Sequence, residues 1–188
     1  MHRLFLAVPF QSDRILKALQ PAIQVLDQYK NELKPVKPSN FHITVQFLGT
    51  VSTEKKMLLI QDLGILENVY SKISIAVKGV GFFPHFNKAR IIWAGIDGNK
   101  LLIQKIYNDV LRVTEKLGYK PDKKSFIPHL TLARVRNNKK LSESCKKELK
   151  IFADSLFLET HISEIQLVES YLESKGPRYV VVKNINFL

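Results

Sequence analysis

The stretch Phe41–Gly49, FHITVQFLG, decides the fold of this chain. Its apolar residues alternate with His42, Thr44 and Gln46, which is the period of a β-strand with one face on a core and the other on a polar cleft. Phe47 belongs to the apolar set and is expected to pack on the core. Because side chains two apart on a strand share a face, His42 and Thr44 are expected to project together into the cleft.

The same motif recurs in the segment FIPHLTLARV, where His129 and Thr131 have identical spacing and alternate with Leu130 and Leu132. Pro128 suits the first residue of a strand. A single histidine on a strand is more often structural than catalytic. Two matched motifs favour catalysis, because one imidazole can accept a proton while the other donates one at a single phosphodiester, without a metal.

The spacing of the two motifs predicts an internal duplication. A shift of 87 positions superposes His42 on His129 and Thr44 on Thr131, and it also aligns the strand and the amphipathic helix that precede each motif. In this alignment Trp93 falls on Leu6 and is expected in the core, with a base-stacking platform as the alternative. Two unrelated strand–helix units remain the alternative.

This duplication predicts an α+β fold of two pseudo-symmetric lobes. Each lobe is expected to hold a small, mostly antiparallel sheet with helices on its outer face, and the active-site cleft is expected between the lobes. The repeat units span about residues 3–88 and 90–188. We expect the whole chain, 1–188, to form a single bilobal domain, with strands free to cross between the lobes.

Other segments predict the remaining elements. The predicted strands are 4–8, 41–49, 72–83, 89–96, 128–135, 162–172 and 179–187, and the predicted helices are 13–26, 53–70, 102–117 and 142–152. The histidines without a matched threonine are His85, His161 and His2. His85 and His161 are expected in loops or on the surface, and His2 is expected to be idle at the terminus. The aromatic residues Phe82, Phe83 and Phe86 are expected in the core, with base stacking near the cleft as the alternative.

The chain carries 29 Lys and Arg residues against 17 Asp and Glu residues, which gives a formal net charge of +12. This charge favours polyanionic partners such as nucleic acid, although a solvated lysine-rich surface would give the same composition. The lone Cys145 is expected to be a plain thiol and indicates a reducing compartment. No apolar stretch fits a membrane span or a signal peptide, so a cytoplasmic protein is expected.

The paired motifs resemble the two-histidine (2H) phosphoesterase superfamily, and more closely its RNA 2′,3′-cyclic phosphodiesterases, historically called 2′-5′ RNA ligases. Five segments carry the resemblance in order: HRLFLAVPF, FHITVQFLG, GFFPHFNKARIIWAGI, FIPHLTLARV and VESYLESKGPRYVVV. The resemblance implies hydrolysis of a terminal 2′,3′-cyclic phosphate on RNA to a 2′-phosphomonoester, without a metal or cofactor. It also implies a slower reverse joining of such an end to a 5′-hydroxyl.

The resemblance also implies roles for individual residues. His42 is similar to the general acid that protonates the departing 3′ oxygen, and His129 to the general base that activates water. Thr44 and Thr131 match the threonines that hold the phosphate oxygens. Arg134 resembles a residue near the phosphate, but strict alternation places it on the face opposite His129, so only a bulge or the end of the strand would bring it to the cleft.

Several absences narrow the reaction class. The chain has no phosphate-binding loop of the G-x-x-x-x-G-K-[ST] type, no K-x-D-G ligase motif and no His or Cys spacing typical of a metal site. The expected partner is RNA or an oligonucleotide with a 2′,3′-cyclic phosphate end, bound by a monomer with no membrane contact. The alternatives are a non-catalytic RNA-end binding module and a phosphodiesterase that acts on a cyclic nucleotide or a 2′-5′ oligoadenylate.

Overall fold

The computed structural model describes residues 1–121, 125–137, 139–174 and 176–188. In these residues nine strands form one antiparallel sheet, and four α-helices pack against one core. The predicted α+β class is confirmed. No helix in the described segments is both long and apolar enough to cross a bilayer.

Along the chain, a strand precedes and follows each of the helices. The strands are β1 (His2–Pro9), β2 (Leu33–Pro35), β3 (His42–Val51), β4 (Ile73–Phe83), β5 (Ile91–Gly98), β6 (His129–Val135), β7 (Leu156–Ile162), β8 (Glu164–Glu173) and β9 (Gly176–Asn186). The helices are α1 (Asp13–Gln28), α2 (Thr53–Asp62), α3 (Lys100–Lys116) and α4 (Glu143–Lys150). Each helix begins after a side chain that accepts a hydrogen bond from a backbone N–H of its first turn, and these caps are Ser12, Ser52, Asn99 and Ser142.

The sheet runs in the order β7-β4-β5-β6-β3-β1-β8-β9, and β2 pairs with the free part of β6. At its centre β3 and β6 pair through Ile43 and Leu130. We call this pair the seam, the strands β1, β3, β8 and β9 the first half-sheet, and the strands β2, β4, β5, β6 and β7 the second half-sheet. His42 and His129 each precede a residue of the seam, so the fold brings the two motifs together.

The chain crosses between the half-sheets. Strand β4 belongs to the first predicted repeat unit but pairs with β5 and β7 in the second half-sheet. Strands β8 and β9 belong to the second unit but extend the first half-sheet from β1. Strands of both predicted repeat units therefore occur in each half-sheet.

The main core lies between the sheet and the four helices. Leu6, Ile92 and Leu130 are fully buried there, one on each of three sheet strands. A smaller apolar cluster of Phe5, Ala7 and Val168, covered by Tyr179, does not belong to this core. Because Phe5 and Ala7 alternate with the core-facing residues of β1, this cluster lies on the opposite face of the sheet.

Several elements differ from the sequence-based expectation. Strands β2 and β7 were not predicted, and α2 ends at Asp62, where a 3₁₀ turn over Leu63–Leu66 replaces the last part of the predicted helix. The prediction that His2 is idle was wrong. Its ring hydrogen-bonds Glu169 at 2.7 Å and Thr53 at 3.2 Å, which ties β1 to β8 and α2.

Candidate active site

A β-bulge follows the threonine in each motif. Between Thr44 and Gln46, β3 advances two residues while β1 advances one, so Val45 is the extra residue. Between Thr131 and Ala133, β6 does the same against β5, and Leu132 is the extra residue. A bulge of this kind reverses the faces of the residues that follow it.

In β3 the bulge sends Gln46 to the core and Phe47 to the cleft, which is the reverse of the predicted alternation. Gln46 is buried, and its side-chain oxygen accepts a hydrogen bond from the Thr114 hydroxyl at 2.8 Å. Phe47 is 57% exposed, and its ring lies 5.8 Å from that of Phe5 on the cleft face. The uninterrupted apolar–polar pattern hid this change because a bulge leaves no mark in the alternation of residue types.

In β6 the bulge sends Ala133 to the core and Arg134 to the cleft. Ala133 is fully buried, whereas Arg134 is exposed and lines the same cavity as Thr131 and His42. The bulge that Arg134 would need in order to reach the cleft is therefore present.

Both motif histidines are held by the same hydrogen bond. The Nδ1 atom of His42 lies 2.7 Å from the carbonyl oxygen of Asn40, and that of His129 lies 2.8 Å from the carbonyl oxygen of Ile127. A carbonyl oxygen only accepts, so each Nδ1 carries the hydrogen and donates it. The Nε2 atom of each ring is therefore the one left to exchange a proton with a ligand.

Each imidazole also packs against two aromatic rings. The His42 ring lies 5.1 Å from that of Phe5 and 5.4 Å from that of Tyr179. The His129 ring lies 4.9 Å from that of Phe83 and 6.2 Å from that of Trp93. These contacts fix the ring planes, since the aromatic neighbours leave few other orientations. None of the four aromatic residues was predicted to support a histidine.

The prediction that Trp93 lies in the core was wrong. Trp93 is half-buried and pairs with Thr131 across the strands, so the two side chains share the cleft face. In the first half-sheet the residue opposite Thr44 is Ala7, not Leu6. The strand pairing therefore aligns Ala7 with Trp93, one residue away from the gapless alignment of the sequence.

The site has a positive electrostatic environment. Burial lowers the pKa of both His42 and His129, and it outweighs the hydrogen bonds to the two backbone carbonyls, which raise them. The positive charge of Arg134 lowers both pKa values further, and His129 adds to the lowering at His42. Both rings are therefore mainly neutral near pH 7 in the free protein, and a bound anion would raise both pKa values.

A cavity of about 530 Å³ opens on the His42 side of the seam. His42, Thr44, Thr131 and Arg134 line it, so four of the five predicted site residues share one space. The fifth, His129, interacts electrostatically with His42 across the seam. The remaining lining includes the aromatic residues Phe47 and Tyr179 and the cations Arg3, Lys34 and Lys37.

Other candidate groups lie elsewhere. His85 and His161 are exposed outside the cavity lining, and Cys145 is buried in α4, where burial raises the pKa of its thiol to about 12. Within the described segments, no cluster of three or more His, Cys, Asp or Glu side chains could hold a metal ion. The groups that the site brings together are two imidazoles, two threonine hydroxyls and a guanidinium.

Comparison with known proteins gives consistent matches over nearly the whole chain. The model of the AKAP7 2′5′ RNA ligase-like domain matches residues 3–187. A protein of Methanocaldococcus jannaschii named RNA 2′,3′-cyclic phosphodiesterase is 35% identical, over 96% of this chain and 98% of its own. One of the same name from Archaeoglobus fulgidus is 33% identical, over 94% of this chain and 96% of its own.

Solved structures show the same fold. A crystal structure of a Thermus thermophilus protein superposes with a TM-score of 0.81 and 26% identity, covering 98% of this chain and 97% of that one. Escherichia coli LigT in complex with 3′-AMP superposes with a TM-score of 0.75, covering 99% and 98%, and at 20% identity this likeness concerns the fold alone. The chain belongs to the family of the AKAP7 2′5′ RNA ligase-like domain, within the two-histidine phosphoesterases.

Proposed function

We propose that this protein hydrolyses the 2′,3′-cyclic phosphate at the end of an RNA strand to a 2′-phosphomonoester, using His42 and His129 as acid and base. The observation that carries the proposal is the matched pair of imidazoles at the seam. Both donate Nδ1–H to a backbone carbonyl, and both keep Nε2 for a ligand. The name shared by the Methanocaldococcus and Archaeoglobus relatives supports the same reaction.

In the proposed step, Nε2 of neutral His129 accepts a proton from water, and the water oxygen forms a bond to phosphorus. The bond between phosphorus and O3′ breaks, and protonated His42 donates its Nε2 hydrogen to that oxygen. The products are a 2′-phosphate and a free 3′-hydroxyl, and exchange with solvent restores the two protonation states. Strain in the five-membered cyclic phosphate favours its opening.

The position of the cavity supports His42 as the acid. In a cyclic phosphate the leaving O3′ belongs to the nucleoside, so the acid must lie on the nucleoside side and the base on the water side. The cavity large enough for a nucleoside lies beside His42. The joining reaction, in which a 5′-hydroxyl replaces water as the nucleophile, would use the same two residues in the same roles, because the leaving oxygen is still O3′.

The proposed phosphate ligands come from both half-sheets. Thr44 and Thr131 occupy equivalent positions, two residues after each histidine, and offer one hydroxyl each to the non-bridging oxygens. Arg134 adds a guanidinium, which binds phosphate through two parallel N–H groups. Charge accumulates on these oxygens during attack, so fixed donors stabilise the transition state more than the ground state.

A direct assay separates this proposal from the alternatives. A short RNA with a 2′,3′-cyclic phosphate is incubated with the protein in excess EDTA, and the position of the product phosphate is read by ³¹P NMR. We expect turnover to a 2′-phosphate. Binding without turnover would favour an RNA-end binding module, and loss of activity to EDTA would overturn the metal-independent mechanism.

Matched variants and substrates complete the test. His42→Ala and His129→Ala should abolish most turnover, whereas His161→Ala, which removes an exposed histidine from β7, should not. Faster turnover of a cyclic mononucleotide or a 2′-5′ oligoadenylate than of RNA would instead support those substrates. We propose that the chain acts as one bilobal monomer, and size-exclusion chromatography with light scattering tests that point.

A further inference from the structure

We propose that Arg3, Lys34 and Lys37 form a phosphate track beside the catalytic residues, which binds the backbone of the RNA strand that leads to the cyclic end. This inference rests on the proposed function and specifies its substrate as an oligonucleotide rather than a mononucleotide. All three side chains line the cavity that holds His42 and Thr44.

Lys34 provides the first step of the argument. It lies directly opposite Arg134 in the pairing of β2 with β6. Side chains at opposed positions share a face and lie about 5 Å apart at Cβ, and like charges there repel. Two cations placed together on a cavity wall indicate a site where a negatively charged group offsets that repulsion.

Lys37 lies in the segment that directly follows β2. The N–H of Val36 donates to the carbonyl oxygen of the bulged residue Leu132 at 2.8 Å, which fastens the segment beyond β2 to β6. Three residues after Lys37, the carbonyl of Asn40 accepts the hydrogen bond that orients His42. One short segment thus positions both the cations of the track and the proposed acid.

The charges of the track lack acidic neighbours. Within the residues that the structure describes, the cavity wall contains no Asp or Glu, and no ion pair involves Arg3, Lys34 or Lys37. Some basic residues elsewhere are paired with a carboxylate, as Lys56 is with Glu169. The cations of the track are therefore available to an anion.

The size and position of the cavity suit the end of an RNA strand. Its volume of about 530 Å³ exceeds what one phosphate needs, and falls in the range of sites for nucleotide-sized ligands. The cavity lies on the side of His42, where the proposed mechanism places the nucleoside. The preceding phosphates of the RNA would leave the site along the same wall.

The test compares substrates of different length. The double variant Lys34→Gln/Lys37→Gln is assayed on adenosine 2′,3′-cyclic phosphate and on a tetranucleotide with the same end. The control, Lys17→Gln/Lys147→Gln, has the same net charge but alters exposed lysines on α1 and α4, which pack on the opposite face of the sheet. Arg3→Gln is assayed separately for the third cation.

We expect wild-type kcat/KM to be higher for the tetranucleotide than for the mononucleotide. The double variant should lose about tenfold on the tetranucleotide and less than twofold on the mononucleotide. The slope of log kcat/KM against log salt should fall by about 1.4, since each phosphate contact on a single strand contributes about 0.7. The control should match the wild type on both substrates.

The outcomes separate the two proposals. Equal loss on both substrates, an unchanged salt slope, or equal wild-type kcat/KM for both lengths would overturn the phosphate track while leaving the hydrolase intact. Absence of wild-type turnover on both substrates would overturn the proposed function itself.

Discussion

At the scale of single residues, the site is defined by the same hydrogen bond in each of the two motifs, from a histidine ring to a backbone carbonyl. In each motif Nδ1 donates to the carbonyl two residues earlier, so each ring presents Nε2. We expect His42→Ala and His129→Ala each to lower kcat by about 10²- to 10⁴-fold, as for other acid–base residues. Because both act in one transition state, the double variant should lose little more than the worse single variant. Single-turnover rates check this, and fully multiplicative losses would contradict concerted roles.

The pH dependence follows from the lowered pKa values of the two histidines. The free enzyme needs one ring neutral and the other protonated, so kcat/KM should be bell-shaped with its maximum between the two pKa values. Burial holds both below 6.5, which places that maximum below pH 6.5. A bound phosphate anion raises both pKa values, so the kcat maximum should lie at higher pH. A kcat/KM maximum above pH 7 would contradict the assignment.

Phe47 carries a prediction that the sequence alone would not give. It is exposed on the cleft face beside Phe5 and lines the cavity. Stacking of a base on an aromatic ring contributes about 1–3 kcal/mol, so Phe47→Ala should raise KM about tenfold with kcat nearly unchanged. Phe47→Trp should restore KM, and Leu58→Ala, at an exposed apolar residue of α2, serves as the control. Unchanged KM in Phe47→Ala would exclude stacking.

At the scale of elements, the sequence predicted the motif strands but not their bulges. Alternation showed correctly that His42, Thr44, His129 and Thr131 share a face. It failed beyond each threonine, because one extra residue reverses the faces without changing the order of apolar and polar residues. Gln46 was therefore expected in the cleft, although it lies in the core.

Two strands were missed for a different reason. Strand β2 is three residues long and two of these are Lys34 and Pro35, so it has no period to recognise. Strand β7 joins β8 through one residue and includes the polar residues Glu159, Thr160 and His161, and the predicted strand 162–172 covered only its last residue. Pairing partners, not local preference, make these segments strands.

Glu169 links three elements and carries a stability prediction. Its carboxylate accepts from Lys56 of α2 at 2.7 Å and from His2 of β1 at 2.7 Å. Burial raises its pKa, but the hydrogen bonds from Lys56, His2 and Tyr171 outweigh burial and lower the pKa from 4.5 to about 2. A depressed pKa stabilises the fold above the unfolded value and loses that contribution as pH falls through the folded one.

We therefore expect Glu169→Gln to lower the free energy of unfolding by about 2 kcal/mol at pH 7. The difference from the wild type should shrink between about pH 4.5 and pH 2, where the wild-type carboxylate becomes protonated. Glu173→Gln on the same strand breaks only an exposed pair with Arg178 and should change stability by less than about 1 kcal/mol. Urea titrations at pH 7 and pH 3 check both, and a pH-independent difference would contradict the ionic role.

At the scale of the whole molecule, the duplication remains a prediction, and the structure offers arguments on both sides. Equivalent bulges follow Thr44 and Thr131, and equivalent carbonyls hold the two histidines. Against a simple repeat, the preceding strands align one residue away from the gapless shift, and β4, β8 and β9 cross between half-sheets. Exchange of strands ties both predicted repeat units into each half-sheet, so neither unit is expected to fold alone.

The seam gives the last prediction, because the two half-sheets meet there through one pair of residues, Ile43 and Leu130. A phosphate held by Thr44 on one side and Thr131 on the other adds a second connection that exists only in the folded state. A ligand at 100 times its Kd stabilises a protein by about 2.7 kcal/mol. Adenosine 2′-phosphate, which resembles the proposed product end, should therefore raise Tm by several degrees. Adenosine, which lacks the phosphate, should raise Tm far less. Adenosine 2′-phosphate should also raise the Tm of the double variant Thr44→Ala/Thr131→Ala far less. Hydrogen exchange in the presence of adenosine 2′-phosphate should slow in both β3 and β6; slowing in one of these strands alone would show that the anion does not bridge the seam.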